Sequence, residues 1–260
     1  MPITALLVAG RRPGIDPLAA YFGIEDKVLI PVNGEAMLSR VARTLVDHPA
    51  IARVVILAQE PDRLLAAVPW MQKHERITTS AGGASVSKAV AKAVRANSDG
   101  FPFLLTTADN ILLDHVMIDA FIAGASSHDL AVALVERQTL LAAYPASQRT
   151  WLRFRDGAWS GANLFWFGDP RVDQVLALWQ TIEQQRKKGS AIIRAFGPVM
   201  LVMVGLHLLT IDQAIARAGR RFGLDAIPVA LPFAEACIDV DKPDDHQLAS
   251  EILARRVGPR

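Results

Sequence analysis

Ile3-Thr4-Ala5-Leu6-Leu7-Val8-Ala9-Gly10-Arg11-Arg12-Pro13-Gly14 runs without a break from a short apolar segment into a loop of Gly, Pro and Arg. A brief apolar run bounded by turn residues reads as a strand. The pattern recurs at residues 54–57, 103–106 and 130–135, and between these runs residues 36–46, 62–68, 87–96 and 114–123 carry apolar side chains at helical spacing. Strands alternating with helices predict βαβ units, and hence an α/β fold in which a mainly parallel twisted sheet is covered by helices on both faces. Ligands of such sheets bind in the crevice at the carboxyl ends of the strands, so the loops that follow strands are where chemistry is expected.

The second half changes rhythm. Residues 151–155 alternate with period two, Asp156-Gly157 is a hairpin turn, and residues 159–167 resume an extended pattern. A helical region follows from Asp169 to about Gly219, interrupted near Gly189 and at Gly197-Pro198; residues 226–231 and 237–240 then read as final strands and 244–255 as a closing helix. With no internal repeat or low-complexity linker, the organisation expected is one domain over residues 1–260, with a helical insertion at 169–223.

Composition narrows the classes. Hydrophobic residues make up 51% and charged residues 21% of the 260, which is a globular composition. The net charge of +2 is the small difference between 28 basic and 26 acidic side chains, so no whole-chain attraction to nucleic acid is expected and anion binding must be local. The single cysteine, Cys237, excludes an intrachain disulfide and a cysteine-built zinc site, and reads as a small buried residue. The N-terminus lacks the basic-then-apolar pattern of a secretory signal, so a cytoplasmic location is expected. The most apolar run, 199–209, is shorter than the roughly 20 residues of a membrane span.

Three loops carry candidate chemistry. In the first, backbone N–H groups freed by Gly10 and Gly14 can form an anion-binding concavity, with Arg11, Arg12 and Lys27 supplying positive charge; it is neither a G-x-G-x-x-G fingerprint nor a P-loop, and a solvated surface turn is the rival reading. In the second, Asp109-Asn110 ends a strand, which suits a hard carboxylate ligand for Mg²⁺ or a cap for the next helix. In the third, Asp239 and Asp241 flank Val240, and on an extended segment both would point to one face and one metal. Asp244 and Asp245 read as acids complementing the dipole of a helix begun by Pro243.

Together the basic Gly loop, Lys27, Asp109 and the D-x-D resemble a nucleotidyltransferase of the glycosyltransferase-A-like, Rossmann-like fold, nearest to the MobA-like NTP transferases. That group includes molybdenum-cofactor guanylyltransferases and the cytidylyltransferases of sugar and polyol phosphates. Lys27, Pro31-Val32, Gly34 and Met37-Leu38 match the segment after the nucleotide loop, and Gly82-Gly83-Ala84-Ser85-Val86 is similar to the glycine pair and Ser-Val near base and ribose. Ser160-Gly161-Ala162-Asn163 is similar to the strand beside the acceptor, and Asp239-Val240-Asp241-Lys242-Pro243-Asp244-Asp245 resembles D-V-D-T-P-E-D. The nucleotide loop departs from the family pattern by having one glycine before Arg11-Arg12-Pro13-Gly14.

The resemblance implies transfer of NMP from an NTP, CTP or GTP, to a phosphorylated sugar, polyol, cofactor or lipid head group, with release of pyrophosphate. It implies Lys27, Asp109 and Asp241 as catalytic residues, and Asp109, Asp241 and Asp239 as ligands of Mg²⁺, or Mn²⁺. It further implies Ala9, Gly10, Arg11, Arg12, Gly14, Lys27, Gly82, Gly83 and Ser85 at the nucleotide. Asn163, Gly161 and Arg153 are candidates for the acceptor; a strand-end amide satisfying backbone groups and a solvated hairpin arginine are the competing readings for Asn163 and Arg153. Two other functions fit the same residues: a glycosyltransferase of this fold that consumes an NDP-sugar, and a non-catalytic nucleotide-binding regulatory protein. Arg186-Lys187-Lys188 beside the apolar run from Ala191 points either to peripheral membrane contact or a lipid-linked acceptor, or to a helix pair closing the acceptor pocket or a homodimer interface.

Overall fold

The computed structural model describes residues 2–11, 14–83, 85–184 and 198–257. The basic cluster at 186–188 and the start of the apolar run at 191 therefore lie outside the described residues, as do Arg12, Pro13 and Ala84. The first half alternates as expected. Strand β1 (Ile3–Val8) leads through α1 (Pro17–Phe22) and the hairpin β2 (Pro31–Val32) and β3 (Glu35–Ala36) to α2 (Met37–Asp47). Then come β4 (Ile51–Ala58), α3 (Pro61–Ala67), α4 (Pro69–Gln72), β5 (Ile77–Ala81), α5 (Val86–Ala96), β6 (Phe103–Thr107), α6 (His115–Ala125) and β7 (Leu130–Glu136). After α7 (Arg137–Ala143), the hairpin β8 (Leu152–Phe154) and β9 (Gly157–Phe167) is followed by α8 (Asp173–Gln184), α9 (Pro198–Gly205), α10 (Ile211–Arg220), β10 (Ala226–Ala230) and α11 (Pro243–Val257).

Among the described residues the main sheet has eight strands in the order β10-β7-β9-β6-β1-β4-β5, with β8 paired to β9. Pairing is parallel except where β9 runs against β6, β7 and β8. The chain adds β4 and β5 on one side of β1 and then returns to lay β6 on the other. That reversal opens a crevice at the carboxyl ends of β1 and β6, the place where such sheets bind ligands.

Period-two alternation divides the sheet between two cores. Ala5, Leu7, Ile56 and Leu104 face the cluster that includes Leu38, Val41 and Leu45 of α2 and Phe121 of α6. Leu6, Leu57, Phe103 and Leu105 face the cluster built with Val90 and Val94 of α5 and Leu176 of α8. Helix α8 lies within the expected insertion at 169–223, yet it packs on α5 and helps close the second face of the sheet.

Local chemistry sets several element ends. Asp16 and Asp114 cap α1 and α6 with their side chains, and Thr210 and Gln213 form a capping box on α10. Asn33 and Gly34 adopt positive φ of 50° and 82°, as a tight hairpin between β2 and β3 requires. This hairpin docks on α11: Asn33 Nδ2 donates to Ser250 O at 2.9 Å, and His246 Nε2 lies 2.9 Å from Pro31 O. The expected last strand at 237–240 is not a strand. Ala234–Cys237 is a 3₁₀ turn, and 238–242 carries no strand pairing. The Cys237 thiol is buried and pushed up to about 11, chiefly by that burial, which leaves it inert. Among the described residues no helix is long and apolar enough to cross a membrane.

His48 is fully buried at the end of α2. Its Nδ1 accepts the Ala50 N–H at 3.2 Å and its Nε2 faces Asp119 at 3.2 Å, an arrangement that requires the neutral ring with its proton on Nε2. Burial depresses its pKa below the ordinary 6.5, against the pull of Asp119. The unfolded chain therefore binds this proton more readily, so the neutral ring's contribution to stability is complete above pH about 6.5 and is lost as pH falls through the folded value. Urea midpoints measured from pH 7 to 5 should fall more steeply for the wild type than for His48→Gln; parallel curves would remove His48 from the acid sensitivity.

Candidate active site

The crevice is built from segments far apart in the chain. Ala9 N–H still donates to Leu57 O at 2.9 Å, so the chain leaves the sheet at Gly10. Beyond β6, Ala108 N–H donates to Val8 O at 2.9 Å, which sets Asp109 beside the end of β1. Thr107 Oγ1 donates to Asp109 Oδ1 at 2.5 Å and fixes that carboxylate. Lys27 begins a 3₁₀ turn just before the β2–β3 hairpin, and Asp241 lies just before α11, on which the hairpin docks. The docking brings both residues to Asp109.

Lys27 Nζ donates to Asp109 Oδ2 at 2.8 Å and makes a short contact with Asp241 Oδ1. Burial opposes the charge on Lys27, but Asp109 and Asp241 outweigh it and hold the ammonium above the ordinary lysine range. Val240 N–H donates to Asp109 O at 3.1 Å, tying the D-x-D segment to the strand-end loop. Asn110 turns inward instead: it is buried and donates to Thr106 Oγ1 and Ala162 O, holding β9 to β6.

Asp239 is near the pair but separately engaged. Its Oδ1 accepts from Arg149 Nη1 at 2.7 Å and its Oδ2 from Asn163 Nδ2 at 3.2 Å. Burial, followed by the charges of Asp109 and Asp241, pushes its carboxyl above the ordinary range, against Arg149 and Asn163. Arg149, whose side chain is only 9% exposed, also donates to Asp245 Oδ1 at 2.9 Å. Asp245 in turn accepts the N–H groups of Asp241 and Lys242 at 3.2 and 3.0 Å. Asp245, expected only as a helix-dipole acid, thus fixes the backbone of the D-x-D. No pleat aligns Asp239 with Asp241; Arg149 and α11 do the aligning.

The other expected residues are placed as follows. The Arg11 guanidinium reaches Glu25 at 2.6 Å, Glu60 at 3.0 Å and Asp26 at 3.4 Å, and Arg63 shares the same three acids. Gly14 is exposed with φ of 103°. Gly82 N–H donates to Ala58 O at 2.8 Å, and a Cβ there would stand 2.6 Å from the Ala89 Cβ, so this close packing admits only glycine. Ser85 caps α5 and donates to Glu183 Oε2 at 3.0 Å. Glu183 also accepts from Val86 N at 3.2 Å and Ser87 N at 3.0 Å; burial opposes its charge, and bonds from Ser87, Ser85 and Val86 overcome this and hold its carboxyl below the ordinary range. Asn163, with φ of 50°, lies where the β7–β9 register shifts. Gly161 is exposed on β9, and Arg153 is exposed on β8 opposite Ala158. Among the described residues no three His, Cys, Asp or Glu side chains form a ready metal cage.

Sequence reasoning passed over Gln59, Arg149 and Glu183. Gln59 directly follows a strand, so the carboxyl-end rule that singled out Asp109 would have found it. Arg149 lies in an unpatterned loop and Glu183 inside a helix, where nothing local marks either.

Comparison with known proteins gives concordant matches. The family model described as the MobA-like NTP transferase domain matches residues 9–196. The 2-C-methyl-D-erythritol 4-phosphate cytidylyltransferase of Vibrio vulnificus (strain CMCP6) is 26% identical over 235 residues, covering 88% of this chain and 87% of that protein. A hypothetical transferase structure from Thermus thermophilus superposes with a TM-score of 0.77 at 24% identity, over 95% of this chain and all of that one. The 4-diphosphocytidyl-2C-methyl-D-erythritol synthase of Anaerococcus prevotii DSM 20548 superposes with a TM-score of 0.59 at 10% identity, over 98% of this chain and 96% of that one.

Removing Arg149 leaves Asp239 and Asp245 without their buried counter-charge. Arg149→Met should lower unfolding free energy by about 3 kcal/mol in urea titrations. Arg149→Lys should recover only part of that, because an ammonium cannot span both carboxylates as the guanidinium fork does. A loss below about 0.5 kcal/mol for the methionine variant would refute the assignment.

Proposed function

The chain belongs to the MobA-like NTP transferases, which are nucleotidyltransferase enzymes, and from that premise we propose that it transfers a cytidylyl group from CTP to a phosphorylated sugar or polyol, releasing pyrophosphate. The observation that carries the reading is the Lys27 ammonium held between Asp109 and Asp241 in the crevice at the ends of β1 and β6. The choice of CTP and of the acceptor class is supported by the Vibrio vulnificus relative, whose name specifies cytidylyl transfer to a polyol phosphate.

In this reaction an oxygen of the acceptor phosphate forms a bond to the α-phosphorus of CTP while the bond to the β-phosphate oxygen breaks. The acceptor needs no general base, since the second pKa of a phosphate monoester is about 6. The protein's task is to align two anions and neutralise charge on the reacting phosphorus. Lys27 supplies the cation for the α-phosphate oxygens. The Gly10 and Gly14 N–H groups serve the β- and γ-phosphates, together with Arg12, a residue assigned to them by the family resemblance and lying outside the described residues. Arg11 acts chiefly by anchoring that loop to Glu25, Asp26 and Glu60. Asn163, Gly161 and Arg153 face the acceptor from β9 and β8.

Mg²⁺ fits the donor set. Asp109 and Asp241 present hard oxygens that already converge on one cation. Asp109 and Asp241 would hold the ion, Asp239 remaining with Arg149 and Asn163. When bound, the ion neutralises phosphate oxygens.

Incubation of the purified protein with each NTP and a panel of sugar and polyol phosphates should release pyrophosphate with CTP, and EDTA should stop the release. Lys27→Met should lower kcat by about 10²- to 10³-fold with a smaller change in KM for CTP, and Asp109→Asn should leave no measurable turnover in a folded protein. Release with GTP alone would replace the cytidylyl reading by a guanylyl one. Consumption of an NDP-sugar without pyrophosphate would replace it by glycosyl transfer.

A further inference from the structure

Gln59 is the residue after β4, and β4 lies between β1 and β5 in the sheet. It therefore stands between the loop that leaves β1 and the glycine turn that leaves β5. Its amide joins them. Oε1 accepts the Arg11 N–H at 2.8 Å, and Nε2 donates to Arg11 O at 2.8 Å and to Gly83 O at 3.4 Å. The side chain thus meets Arg11 as a neighbouring strand would, continuing the ladder past its last backbone bond, from Ala9 N to Leu57 O.

Three further observations make the fit specific. Gly10 lies against the amide so closely that a Cβ would stand 3.1 Å from Gln59 Oε1. Among the described residues the cleft between the two loops is otherwise walled by glycines and apolar side chains, among them Ala58, Gly82, Gly83 and Val86, and Gln59 is the polar side chain in that wall. The chemistry also calls for an amide: Arg11 offers a donor and an acceptor, so a carboxylate would set an oxygen against two carbonyls, while Asn is a methylene too short to make the same bonds.

We propose that Gln59 is a positioning residue that clamps the two nucleotide loops into one frame, and so sets nucleotide affinity without taking part in the chemistry. The inference rests on the reading of this cleft as the nucleotide site. A flexible, glycine-containing loop costs binding free energy when it must be ordered, and a clamp that holds it beforehand removes that cost. The hydrogen bonds of the Gln59 side chain go to Arg11 and Gly83 and not to Lys27 or Asp109, so its loss acts on affinity and spares the chemical step.

Gln59→Met keeps the length and the packing but removes the three bonds. In the full-length variant, hydrogen exchange of the Arg11 and Gly82–Gly83 amides should quicken at least tenfold while the thermal midpoint stays near that of the wild type. KM for CTP should rise about tenfold, with kcat within twofold and KM for the acceptor unchanged. Gln59→Glu, which keeps the acceptor and reverses the donor, should raise KM for CTP at least as much. Unchanged exchange at Arg11 would overturn the clamp. Faster exchange with an unchanged KM for CTP, or a fall in kcat at constant KM, would overturn its role in affinity. A wild type that binds none of the four NTPs would overturn the nucleotide reading itself, and the exchange result would still decide whether the loops are clamped.

Discussion

One ammonium, Lys27 Nζ, lies between two carboxylates that are 82 and 214 residues away in the chain. Three acids, Asp109, Asp239 and Asp241, gather in that corner, and burial, followed by the charges of the other two, raises the carboxyl of Asp239. Their assembly holds because each negative charge meets a fixed cation or donor: Lys27 for Asp109 and Asp241, Arg149 and Asn163 for Asp239. The centre thus gathers three carboxylates around the Lys27 ammonium and the Arg149 guanidinium.

The frame around this centre is laid out by strand order. Because β1 lies between β4 and β6, its loop faces Gln59 on one side and Asp109 on the other. The two sides have different work. On the β4 side, the amide of Gln59 and the Arg11–Arg63 acid cluster hold the loop in place. On the β6 side, Lys27 and the acids face the crevice. Helix α8 adds a third tie, through Glu183 at the start of α5, so the same helix that closes the second core also steadies the glycine–serine turn.

Much of this was legible from residues alone. The strand segment 3–8, the helix at 87–96 and the Asp156-Gly157 hairpin all stand where their periodicity and turn residues put them, because those signals are local. Strand β5, with two exposed threonines, and the short helix α7 lack a strong apolar pattern and went unread. The segment at 237–240 misled, since alternation of apolar and acidic residues resembles a strand where a 3₁₀ turn and an unpaired stretch stand. For the site, the carboxyl-end rule singled out Asp109, the basic glycine loop Lys27 and the D-x-D spacing Asp241, three residues that the structure brings together. Arg149 has no local signature, because its meaning is the pair of acids it meets 90 and 96 residues further on.

By itself the sequence determined the alternation of strands and helices, the residue types at strand ends and the kind of chemistry those types permit. These follow from periods of two and 3.6 residues and from side-chain chemistry, which are properties of neighbours in the chain. Only the tertiary structure decided which cation meets which carboxylate, that Arg11 is held among three acids, and that Gln59 joins two loops. Those pairings depend on the order in which strands lie side by side and on the docking of the β2–β3 hairpin against α11. Both are set by burial summed over the whole core, and no local pattern records them.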